Sequence, residues 1–123
     1  MSTRKILLLD DSTTLLLLER MVLDSSGYQI LAAKDGEAGV RAALAHRPDL
    51  ILLGADLPKM DATEVCRQLR AHETTREIPI LLVVSPGAQG EVEKGLFSGY
   101  DGVIIKPMHP EELLSKVRNL LGD

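Results

Sequence analysis

Two adjacent carboxylates, Asp10 and Asp11, directly follow the apolar run Ile6 to Leu9. Side by side at the end of a buried strand they repel one another, and a cation or an ammonium group is needed to offset the cost. Such a pair suits a hard divalent ion such as Mg2+, held by one or two carboxylates with water and a phosphate completing the shell. Lys106 can supply the opposite charge and Ser85 a hydroxyl, each at the end of an apolar run of its own. A simpler reading stands beside this one: the pair caps the following helix or pairs with Lys106, and Ser85 is a turn residue ahead of Pro86. The same negative charge argues against a flavin or nucleotide cradle, which needs backbone amides and hydroxyls after the first strand.

The stretch Pro48 to Ala62, PDLILLGADLPKMDA, is the pivot of the chain. Pro48 stops a helix, and Leu50 to Leu53 is a fully apolar run of the kind found in strands buried on both faces. Gly54 closes that run, Asp56 and Pro58 lie in the loop, and Asp61 with Glu64 has the spacing of a capping box that opens the next helix. Around this pivot the chain alternates. Lys5 to Leu9, Tyr28 to Ala33, Ile80 to Val84 and Val103 to Ile105 read as further strands. Helices are expected over about Thr13 to Ser26, Glu37 to His46, Asp61 to His72, Gln89 to Ser98 and Pro110 to Leu121. Strict alternation predicts an α/β three-layer sandwich: one parallel sheet with helices on both faces, spanning residues 1–123 as a single domain. Five strands suit the flavodoxin-like order 2-1-3-4-5, which brings Asp10, Asp11, Gly54, Asp56, Ser85 and Lys106 to one edge.

Composition narrows the function classes. Fourteen basic against eighteen acidic residues give a net charge of −4, with no basic block to attract nucleic acid or an anionic membrane. The apolar runs are far shorter than the roughly 18 residues of a membrane span. No signal peptide is read, so the expected compartment is the cytoplasm. Cys66 is the only cysteine, which excludes an internal disulfide and a multi-cysteine zinc site. His46, His72 and His109 fall in different units and do not suggest a metal cluster.

The fragments LLLDDS, PDLILL, LPKMD, the hydroxyl of Ser85 and IIKP, in this order and spacing, resemble the CheY-like response-regulator receiver domains of two-component phosphorelay systems, over essentially the whole chain. The resemblance implies that Asp10 and Asp11 match the acidic pair that holds Mg2+. It makes Ser85 the switch hydroxyl and Lys106 the phosphate-pairing lysine ahead of Pro107. It implies a partner among histidine kinases, phosphotransfer proteins or output proteins, and no enzymatic activity. One match fails. The phospho-acceptor aspartate of receivers lies four residues before the loop proline, and here that position is Gly54. Val103 likewise replaces the aromatic switch residue. The expectation is therefore a degenerate receiver that requires no cofactor, binds Mg2+ weakly at best and works as a phosphorylation-independent protein-binding module. The competing readings are a receiver phosphorylated at Asp56 and a flavodoxin-like flavin or nucleotide binder.

On the first helix, an angular step of about 100° per residue places Leu15, Leu17, Leu18, Met21 and Val22 on one broad face, away from Glu19 and Arg20. That assignment makes Leu16 and Leu23 an exposed apolar strip and a candidate partner surface, with partial burial under neighbouring side chains as the alternative reading.

Overall fold

The computed structural model describes residues 3–57, 60–88, 90, 92, 95 and 99–123. Five strands run β1 Lys5–Leu9, β2 Gln29–Ala33, β3 Leu50–Gly54, β4 Ile80–Val84 and β5 Gly102–Ile105. They form one parallel sheet in the order β2-β1-β3-β4-β5, as the alternation predicts. The helices among the described residues are α1 Thr13–Asp24, α2 Gly36–His46, α3 Ala62–Ala71 and α4 Pro110–Leu121, with a 3-10 turn at Pro86–Ala88. The helix expected over about Gln89 to Ser98 falls mostly outside the described residues.

The apolar runs form strands because both of their faces are covered. Leu7, Leu9, Ile51 and Leu53 pack under α2 and α3, while Ile6, Leu8, Leu50 and Leu52 pack under α1 and α4. Alternate residues of one strand thus feed two separate cores, which is the period-2 geometry of an extended chain. Local signals set the helix starts. Ser12 Oγ accepts from the Leu15 amide at 3.2 Å, Asp35 from that of Ala38 and Asp61 from that of Glu64, both at 2.8 Å. Gly27, at φ 90°, lets the chain leave α1 in a left-handed conformation.

The face of α1 is the reverse of the expected one. Leu16 and Leu23 are buried, whereas Leu17, Leu18 and Met21 are exposed. The buried stripe runs Leu16, Glu19 and Leu23, flanked by the partly buried Leu15 and Val22. Leu16 and Leu23 are therefore core residues and offer no partner surface. The physical reason is Glu19, an acid at the centre of the covered face.

Candidate functional site

At the carboxyl edge of the sheet the strand ends meet in the order the topology dictates. β1 and β3 run side by side, with Leu9 opposite Leu53, so the next residues, Asp10 and Gly54, are neighbours. Asp10 is 5% exposed, and its Oδ1 accepts from the Ser12 amide at 2.9 Å. Its other oxygen points at Gly54. A Cβ at Gly54 would lie 2.5 Å from Asp10 Oδ2, 3.1 Å from its Cγ and 3.2 Å from the Leu9 carbonyl oxygen. The Asp10 carboxylate thus occupies the space that any side chain at position 54 would need.

Burial pushes the Asp10 carboxyl up from its ordinary range, and the charges of Asp11 and Asp56 push the same way. The Ser12 amide and the Lys106 ammonium oppose them without reversing the shift. Asp11 and Asp56 are both exposed. Ser85, Val103 and Lys106 are half-buried and Pro107 is exposed, following a cis Lys106–Pro107 peptide bond. The Lys106 backbone amide donates to the Val84 carbonyl at 2.8 Å, which fixes the end of β5 against β4. The lysine ammonium makes no direct ion pair among the described residues. Its expected pairing with Asp10 or Asp11 is thus an interaction through space, and the cap of α1 is Ser12. Pro58, of the loop motif, lies outside the described residues.

Sequence reasoning missed Glu19. It is 2% exposed, and its carboxyl is pushed up to about 8, first by burial and then by the charge of Asp10, with Lys106 opposing. At neutral pH it keeps its proton. Its buried neighbours Leu16 and Leu23, three residues before and four after, were the available signal, because the three share one helical stripe.

These donors do not fit a Mg2+ centre of the usual kind. Asp10 is committed to a backbone amide and to the space beside Gly54. Position 54 supplies no carboxylate, and among the described residues no three acidic, histidine or cysteine side chains converge. A flavin or nucleotide fits no better. The chain has three aromatic rings: Tyr28 is buried in the core under α1, Tyr100 packs partly buried against the core under α2 and α3, and Phe97 lies outside the described residues. Cys66 is buried and its thiol is raised to about 11, chiefly by that burial, so it is not a nucleophile at neutral pH.

The family model for the response regulator receiver domain matches residues 6–118. The chain belongs to that family. Among curated proteins, this receiver domain is 36% identical over 118 residues to the alkaline phosphatase synthesis transcriptional regulatory protein PhoP of Bacillus subtilis, covering 96% of this chain and 48% of that protein. It is 38% identical over 117 residues to the DNA-binding dual master transcriptional regulator RpaA of Synechocystis, covering 95% and 48%. It therefore spans about half the length of the curated relatives it matches. Among solved structures, it is similar to the receiver domain of a sensor histidine kinase from Pseudomonas aeruginosa, which has a magnesium ion coordinated in its active site cleft. The two share 30% identity and a TM-score of 0.90, over 99% of this chain and 100% of the other. The receiver domain of a Syntrophus aciditrophicus histidine kinase gives 32% identity and a TM-score of 0.88, over 98% and 91%. Receiver identity and sheet order therefore agree with the reading of the sequence. No helix among the described residues is long and apolar enough to cross a membrane.

Proposed function

We propose that this receiver acts in two-component signalling as a phosphorylation-independent protein-interaction module, in the cytoplasm and without catalysis of its own. Its partner belongs to the histidine kinases, phosphotransfer proteins or output proteins that receivers serve. The observation that supports this reading is the Asp10 carboxylate beside Gly54. Position 54 has no group to accept a phosphoryl, and the space for one is already filled by a buried acid. Phosphoryl transfer needs an acceptor placed in line beside a metal and a cation, and Asp10 is held back by the Ser12 amide. Mg2+ association is accordingly weak and serves no acceptor. Lys106 and Ser85 keep their receiver positions as structural residues of the β4 and β5 ends.

Asp56 is the rival acceptor, because it is an exposed carboxylate two residues beyond Gly54 whose charge reaches Asp10. The test is incubation with a small-molecule phosphodonor and Mg2+, followed by intact-mass measurement of the wild type and of Asp56→Ala. The expected spectrum shows no phosphoryl adduct on either protein. An adduct on the wild type that disappears in Asp56→Ala would instead establish a receiver with a displaced acceptor.

A further inference from the structure

The outer face of α1 carries Leu17, Leu18 and Met21 at 58%, 43% and 63% exposure, the large hydrophobic side chains left in solvent among the described residues. With exposed Thr14 they follow the 3-4 spacing of a helix-pairing seam, on the side of α1 opposite the buried Leu16, Glu19 and Leu23. We infer that this face pairs with the same face of a second copy of the chain, the two α1 helices running antiparallel about a twofold axis near Leu18.

Two features select a second copy over another occupant. The strip is self-complementary, because it is centred on the middle of the helix Thr13–Asp24. An antiparallel crossing lays Leu17 over the partner's Met21, brings the two Leu18 side chains together near the axis, and sets Thr14 against the partner's Asp24. The charges are complementary in the same arrangement. The first turn of α1 has no acidic residue and its last turn no basic one, so Asp24 stands at the end where the helix dipole disfavours it. Antiparallel pairing moves that carboxylate over the partner's amino-terminal turn, where the dipole is positive. Beside that turn sits Lys34, whose ammonium donates to Thr13 Oγ1 at 3.1 Å and adds a positive charge there. Asp24 forms no ion pair within its own chain among the described residues.

The strip offers roughly 300 Å2 of apolar surface, the size of a functional patch on a monomer. With its polar flanks it stays below the roughly 800 Å2 per partner of a standard interface, so the dimer is a dynamic one. The arrangement depends only on α1 and Lys34, and it is unaffected by whether the loop at Gly54 or Asp56 accepts a phosphoryl group.

Sedimentation equilibrium of the chain from about 20 µM to 1 mM, a range matched to an interface of this size, tests it. The wild type is expected to self-associate reversibly to a dimer. Met21→Glu, on an exposed side chain, should raise the dissociation constant at least tenfold with an unchanged circular dichroism spectrum. Asp24→Lys should also weaken association, although it favours the dipole of its own helix. Combining it with Lys34→Glu should recover a good part of the loss, since the swapped charges face each other again across the axis. A chain that stays monomeric at the highest concentration would overturn the inference. So would a dimer indifferent to Met21→Glu, or a charge exchange that recovers nothing.

Discussion

Replacing Glu19 by glutamine should make the protein more stable at pH 8 and remove most of the pH dependence of its stability between about pH 4.5 and 8. The carboxyl lies at the centre of the face that α1 turns to the sheet, with Asp10 and Lys106 the charged groups acting on it. Folding raises it from an ordinary 4.5 to about 8, so across that window the folded protein binds more protons than the unfolded chain. Stability is therefore fully present below pH 4.5, declines as the pH rises, and levels off above pH 8, where the folded state must hold a buried anion. At 1.36 kcal/mol per pKa unit, the whole decline is on the order of 5 kcal/mol, a large share of the roughly 5 to 15 kcal/mol that holds a domain together. The raised Asp10 carboxyl acts in the same direction and leaves a residual slope in the variant. Urea unfolding at several pH values, on wild type and Glu19→Gln, checks this. Two parallel curves would show that Glu19 titrates as a solvated group and is not held neutral by the fold.

Glu19 also marks where the sequence stopped being legible. The strands were readable because each is a short, largely apolar run closed by a glycine or a polar residue, and alternation with helices leaves few topologies for such runs. The neighbours on the sheet edge followed from the order alone: once β1 lies beside β3, Asp10 must lie beside Gly54. The face of α1 did not follow. Five of its apolar residues fill one wide arc, and an acid normally marks the solvent side, so the arc away from Glu19 looked like the core. The fold instead covers the Glu19 side, where Leu16 and Leu23 bracket it, and it accepts a neutral carboxyl as the cost. No periodicity rule reports a buried acid, because the rule counts acids as exposed. The opposite strip, Leu17, Leu18 and Met21, then becomes the feature in need of a partner. The position of the Asp10 oxygen was equally illegible. Spacing tells which residues adjoin, and only packing tells which of them fills the gap.

That gap makes Gly54→Asp the sharpest probe of the sheet edge. The new Cβ would start 2.5 Å from Asp10 Oδ2 and 3.2 Å from the Leu9 carbonyl, so Asp10 must rotate away and give up the Ser12 amide. Rotation exposes the Asp10 carboxylate to a second one at position 54, with Asp11 close behind, and no ammonium among the described residues balances them in direct contact. In chelator the variant should therefore lose stability, by about 2 kcal/mol from the unmade hydrogen bond and the like charges together, and melt several degrees lower. Millimolar Mg2+ should return most of that loss, because three carboxylates on one side of an ion are the donor set that the present edge lacks. Gly54→Ala separates the two causes: it displaces Asp10 in the same way but adds no charge, so its melting temperature should fall and stay low in Mg2+. Thermal melts of wild type, Gly54→Ala and Gly54→Asp, each with chelator and with Mg2+, decide the matter. If Gly54→Asp melts at the same temperature in both, the edge does not have a receiver's metal geometry, and one carboxylate at position 54 is not enough to build it. If Mg2+ rescues Gly54→Asp alone, the glycine and the inward Asp10 are coupled, and the edge keeps a metal geometry that a third carboxylate completes.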